Sequence, residues 1–238
     1  MIFPANSLEI KGDRTMKNLI VVMFFTLLLV GCGSDVKKAD TSRPDATLPD
    51  AEGWYSLFDG ETLSGWKASD SQGTFTVRDG MIISNGERSH LYYIGAVNGA
   101  DFVNFEIKVD VMTEPGANSG IYFHTKYQME GWPLKGYEAQ INNTSKDLKR
   151  TSSLFGIIDV LESPAKDNEW FTQHIIVQGK RIIIKTNDNV IVDYTEPDES
   201  PSYEDWPGRK ISSGTFALQG HDPKSIVYFK NIKVKPLP

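Results

Sequence analysis

Cysteine is almost absent. Cys32 is the only one in 238 residues, so no disulfide can form within one chain. Basic residues are in the minority, 25 Lys and Arg against 31 Asp and Glu, and no basic stretch stands out. The resulting net charge of −6 argues against nucleic acid as a partner. No helical period of any length follows Val30, and no segment repeats. His, Cys, Asp and Glu are nowhere spaced as transition-metal ligands, and no Gly-rich loop has phosphate-binding form. Calcium stays open as a cofactor because its oxygen ligands can be scattered, but no segment singles out a site.

Long apolar runs are lacking too. Residues 18–30 follow Lys17 and end in Leu29-Val30-Gly31-Cys32. That run is well short of the roughly 20 residues a membrane span requires. A short apolar core with a basic flank and a small residue at its end reads as a secretory signal. Cys after Leu-Val-Gly resembles a bacterial lipoprotein signal, with Met16 as its start, cleavage before Cys32 and lipid on that residue. The expectation is an exported protein held to the cell envelope through Cys32, at the outer membrane on its periplasmic or surface face. Residues 33–52 are small and polar and cannot bury enough apolar area to offset chain entropy, so they read as a tether. Residues 53–238 remain for one domain.

What that domain has is alternation. Phe105, Ile107, Val109 and Val111 alternate with Glu106, Lys108, Asp110 and Met112. Residues 75–83, 175–178, 181–186, 190–194 and 226–234 are rich in β-branched and aromatic types. Turn signals at Asp79-Gly80, Gly179 and Asp188-Asn189 separate them, the last two predicting consecutive hairpins. Many short strands with short turns predict an all-β, two-sheet antiparallel jelly-roll sandwich. Trp54, Trp66 and Trp170 are expected in its core.

Three strands carry paired polar residues. Successive strand side chains point to opposite faces, so Glu138 and Gln140 share one face while Tyr137, Ala139 and Ile141 share the other. By the same parity Tyr122 pairs with His124, Gln219 with His221, and Asn118 with Tyr122. A carboxylate on a half-buried strand is costly unless hydrogen-bonded or facing a wet groove. Glu138 is therefore the first candidate for acid or base chemistry. His124 and His221 are candidate bases beside it. Gln140, Asn118, Tyr122 and Gln219 are candidate ligand contacts, and Trp132, in a turn-like loop before the Glu138 segment, is a candidate stacking platform.

The order of motifs resembles the 3-keto-disaccharide hydrolase domain family. It opens on Leu57-Phe58-Asp59-Gly60 and Gly65-Trp66 and continues through Asn118-Ser119-Gly120 and Tyr137-Glu138-Ala139-Gln140. It closes on Ala217-Leu218-Gln219-Gly220-His221 and Tyr228-Phe229-Lys230-Asn231. The resemblance implies a concanavalin A-like jelly roll with a carbohydrate site on its concave side, and an oxidised disaccharide or glycoside as substrate. A ketone at C3 acidifies the C2 proton, so one base can remove it while an acid helps the C1 oxygen leave. An ordinary glycosidase needs two carboxyl groups at a set separation. Asp110 and Asp159 are candidates for a second one, without a supporting motif.

Overall fold

The computed structural model describes residues 48–199 and 207–238. The expected leader, Cys32 as expected lipid site and nearly all of the expected tether lie outside the described residues. In chain order the strands are β1 (Tyr55–Ser56), β2 (Trp66–Ala68), β3 (Phe75–Arg78), β4 (Met81–Ser84) and β5 (Ser89–Tyr93). Then come β6 (Phe105–Thr113), β7 (Ser119–Thr125), β8 (Tyr137–Ile141), β9 (Phe171–Gln178) and β10 (Arg181–Thr186). The last three are β11 (Asn189–Thr195), β12 (Thr215–Gly220) and β13 (Val227–Pro236).

They form two antiparallel sheets. The larger runs β11-β10-β9-β6-β13-β4-β3, with β1 added on β13, and the smaller runs β2-β5-β12-β7-β8. The expected sandwich is there, as are the hairpins β3–β4, β9–β10 and β10–β11. The core lies between the sheets. Phe105, Ile107, Val109 and Val111 of β6 meet Ile121, Phe123, Tyr137, Ala139, Phe216 and Leu218 from the smaller sheet. Apolar area removed from water on these facing surfaces is the main stabilising term.

Trp66 joins this core and donates its indole N–H to the Leu57 carbonyl at 2.7 Å. Trp170 does not. It is exposed at the entry to β9 with the Lys230 ammonium 3.8 Å from its ring centre, because the buried register of β9 begins one residue later at Phe171. Trp54 also lies outside the core, against His174 and Lys108 on the outer face of the larger sheet.

The smaller sheet positions the site. On its face turned away from the core, the strands bring Tyr92, Ala217, Tyr122 and Glu138 into one row and His90 and Gln219 into the next. Every residue of β5, β7, β8 and β12 is buried, so both faces of this sheet are covered.

Candidate active site

Glu138 and Gln140 leave β8 on the outer face, as strand parity requires, and Tyr122 is the direct cross-strand partner of Glu138. Glu138 is only 3% exposed. The Gln219 side-chain amide donates to its Oε1 at 2.7 Å and to the Tyr122 hydroxyl at 3.3 Å. In the amide orientation that satisfies both its ends, Gln140 donates to the Ser119 carbonyl at 3.1 Å and to Glu138 Oε1 at 3.2 Å, with its oxygen toward Asn118. Burial pushes the Glu138 carboxyl above the usual range. The Tyr122 hydroxyl, the Arg209 guanidinium, the Gln219 amide and His221 pull the other way without cancelling it.

Gly120 makes room for this carboxylate. A Cβ built there would lie 2.3 Å from Glu138 Oε1 and 2.8 Å from its Cγ, so no larger residue leaves the side chain where it is.

His221 follows the last residue of β12. Its Nδ1 is 2.7 Å from Asp222 Oδ2, and Asp222 also accepts from the Lys224 amide at 2.8 Å and the Ser225 hydroxyl at 3.0 Å. Burial works against the Asp222 charge, but these hydrogen bonds hold its carboxyl below the usual range. In a neutral ring, an ionised Asp222 favours the tautomer with the proton on Nδ1 and the lone pair on Nε2.

One cavity of about 180 Å³ joins these groups. Asn118, Tyr122, Glu138, Gln140, Gln219 and His221 line it together with Trp132. Seven of the eight side chains singled out in the sequence therefore converge.

The eighth, His124, does not. Its backbone takes a left-handed conformation (φ 54°), and the β12–β7 register slips between Thr215 and Ala217, so an extra residue breaks the parity with Tyr122. The ring turns toward Phe105 and Phe123, donates Nε2–H to the Val103 carbonyl at 2.8 Å and accepts the Ser212 amide on Nδ1 at 3.3 Å. Backbone crowds that bulge from both sides. A Cβ at Gly136 would sit 2.1 Å from the Phe123 oxygen, and one at Gly214 2.2 Å from the Thr125 oxygen.

Asp110 lies on the outer face of the larger sheet, bonded to Thr172 and Asn231. Asp159 is exposed and lines no part of the cavity.

The cavity adds residues that alternation did not single out. Arg209, Phe155, Pro133 and Asp147 complete the lining. Arg209 is buried in a segment without strand periodicity, and its guanidinium donates to the Phe155 carbonyl. That segment is held by the Gly136 amide on the Gly208 carbonyl at 2.9 Å and by the Ile211 amide on Glu196 at 2.7 Å. Glu196 also accepts a hydrogen bond from the Tyr137 hydroxyl, tying the segment to β8 itself. Asp147 uses Oδ1 to accept the Lys149 amide at 2.9 Å. Among the described residues no group of three or more His, Cys, Asp or Glu is gathered as a metal site.

A desolvated carboxyl, an imidazole beside an aspartate and an arginine gathered around one cavity are the kinds of groups that acid–base chemistry uses. Residues 53–235 match the 3-keto-alpha-glucoside-1,2-lyase-like domain family. The chain belongs to that family. It is 25% identical over 235 residues to a 3-keto-disaccharide hydrolase of Bacteroides thetaiotaomicron, covering 79% of this chain and 80% of the relative. Its fold resembles the crystal structure of a candidate glycosyl hydrolase of Parabacteroides distasonis, with TM-score 0.68 and 23% identity over 79% of this chain and 95% of that one. It also resembles the carbohydrate-binding module CBM66 of Bacillus subtilis, with TM-score 0.50 and 16% identity over 71% and 94%. Membership of the family and the relative's name make this a glycosyl-hydrolase-like chain of the jelly-roll class.

Proposed function

We propose that the protein cleaves the glycosidic bond of 3-keto-glycosides, 3-keto-disaccharides among them, on the concave face of the jelly roll. The observation that carries this reading is the meeting of Glu138 with the His221–Asp222 pair in one cavity. His221 Nε2 takes the proton from C2, which the C3 ketone has acidified. The electron pair moves into a C1–C2 double bond while the C1–O bond breaks. Glu138, whose carboxyl burial pushes above the usual range, delivers a proton to the departing oxygen. Water then adds across the double bond, so the net change is hydrolysis. Arg209 and the amides of Gln219, Gln140 and Asn118 are the groups available to hold the developing enolate and the ring hydroxyls. Cys32, with its preceding signal pattern, supports an exported, lipid-anchored location at the cell envelope.

The test is to incubate the purified protein with a 3-keto-glucoside and with its unoxidised parent and follow release of both halves. Cleavage of the keto compound alone is expected. Cleavage of the parent would instead point to an ordinary glycosidase using Asp147 as its second carboxyl. Binding without cleavage of either compound would leave a carbohydrate-binding protein.

A further inference from the structure

A second cavity, of about 480 Å³, opens at the other end of β7 and β12 and shares no lining residue with the one around Glu138. Thr215 lines it and Gln219 lines the first, four residues along β12, or about 13 Å at ~3.3 Å per residue. The acid–base reading above makes no use of it.

Its wall carries a hydroxyl with nothing to bond. Thr125 and Thr215 both line the cavity and are cross-strand partners. The Thr215 hydroxyl donates to the Tyr93 carbonyl at 2.6 Å, whereas Thr125, only 1% exposed, leaves its hydroxyl without a partner. Buried hydroxyls are as a rule hydrogen-bonded, and an oxygen of a ligand in the cavity would supply the bond. The backbone here is unusual as well. Ala100, another lining residue, holds φ at 55°, and Thr125 follows directly on His124 at 54°. Left-handed residues other than glycine gather at ligand sites.

The wall is also positive, on an acidic chain. Lys126 and Lys135 line it with Asp101 as the one carboxylate, and the Lys67 ammonium lies 4.1 Å from the centre of the lining Tyr127 ring. Lys135 is fixed by donating to the Ser213 carbonyl at 2.7 Å. Among the described residues none of these three lysines is ion-paired with a carboxylate, although the chain carries a net charge of −6. Each feature narrows the ligand. The ammonium groups favour an anion. Tyr127 and Ile94 offer apolar area that a bare inorganic ion would not use, and the Thr125 hydroxyl would stay unbonded beside an apolar acid.

We infer that this cavity is a second binding site, apart from the Glu138 cavity, for a carboxylated sugar of the uronic acid class. Lys126 and Lys135 take the carboxylate, and Thr125 takes a ring hydroxyl. The inference does not rest on the keto-glycoside reading, because binding is measured whether or not any substrate is cleaved.

Titration calorimetry on the purified protein would compare glucuronate with glucose, benzoate and inorganic phosphate at one ionic strength. Glucuronate is expected to bind saturably and about tenfold tighter than each of the others, the worth of one charge-assisted hydrogen bond. Glucose, benzoate or phosphate binding as tightly overturns the inference. Arg209 gives the Glu138 cavity a cation of its own, so variants decide where the acid sits. Lys126→Gln/Lys135→Gln should weaken glucuronate about tenfold. Should that protein not fold, Lys126→Gln alone, at an exposed position, should still weaken it about threefold. Unchanged affinity in these variants overturns the inference. Thr125→Val keeps the side-chain shape and removes the hydroxyl. It should weaken glucuronate about fivefold and leave the melting temperature unchanged or higher, since no bond within the fold is lost. A lower melting temperature would show the hydroxyl to be bonded inside the fold and overturn the inference too.

Discussion

The outward faces of the two sheets obey the same alternation and end in opposite states. On the larger sheet, β6 reads buried, half-buried, buried along its whole length, and its outward residues pair at the edge of water. Glu106 meets His174 at 2.9 Å, and Asp110 accepts from Thr172 at 2.6 Å and Asn231 at 2.8 Å. On the smaller sheet the outward residues are Glu138, Tyr122, Gln219 and His90, and none keeps more than a trace of exposure. Polar side chains left in water cost little. The same side chains under a cover of loops must satisfy one another or a ligand. The difference between the faces is the covering and not the strands, and the covered face is the one with a cavity.

The sharpest break between the faces is Glu138→Gln set against Glu106→Gln. The first should lower kcat on a keto-glycoside by about 10²–10⁴, and the second should leave it within about twofold. Stability should move the other way. The folded Glu138 carboxyl titrates above its ordinary value, so its contribution is fully present at low pH and is lost as pH rises through the folded value. Gln removes that loss, and above neutral pH Glu138→Gln should melt higher, by about 2–4 °C for each kcal/mol recovered. A melting temperature that falls at pH 8 would mean Glu138 is a structural ion.

Next in size is Asp222→Asn. An Asn amide turned toward Nδ1 favours the tautomer with the proton on Nε2, where the base is needed, and kcat should fall about 10²-fold with KM little changed. An unchanged kcat would remove His221 as the base. Smaller again is Gly120→Ala. Its methyl would overlap the Glu138 carboxylate, costing about 1–3 kcal/mol of stability and shifting the pH profile of kcat. No outward residue of the larger sheet should couple stability to the pH profile in this way.

What alternation could place, it placed. The run Tyr137–Ile141 is unbroken β structure, so the directions of Glu138 and Gln140 followed from parity alone. His124 stands in an equally regular run of residues, but parity assumes extended backbone, and the left-handed residue there turns its ring to the core. The glycines that permit this, Gly136 and Gly214, are distant in sequence, so nothing local announces the bulge. Arg209 was out of reach for another reason. Its segment has no period, and its direction is set by Glu196 and the Gly208 contact. Asp222 did leave a signal, since an Asp between His and Pro is a turn residue whose carboxylate folds back toward its neighbour. The composition of the lining, with its amides beside Glu138, was legible. The closure over it was not.

The smallest effect at neutral pH separates the faces through two histidines. His90 is fully buried against Tyr122, Trp132 and Tyr92, with no hydrogen bond to either ring nitrogen, and burial holds its pKa down at about 3. Asp70, Arg88 and His221 are the charged and titratable groups that act on it. His174, on the larger sheet, is also lowered by burial, but its Glu106 hydrogen bond opposes the shift. A neutral histidine in the fold stabilises fully above the unfolded value of about 6.5, and that contribution is lost as pH falls below it. Each such group contributes at most about 1.4 kcal/mol per pH unit. Glu138 acts in the opposite sense, because protonation relieves its burial. His90→Phe should therefore leave stability at pH 7.5 nearly unchanged and flatten the fall between pH 6.5 and 4 measured by urea unfolding. His174→Phe should flatten it less, because Glu106 already favours the charged ring. A larger flattening from His174→Phe would mean the covered face is no drier than the open one, and the contrast between the sheets would fail.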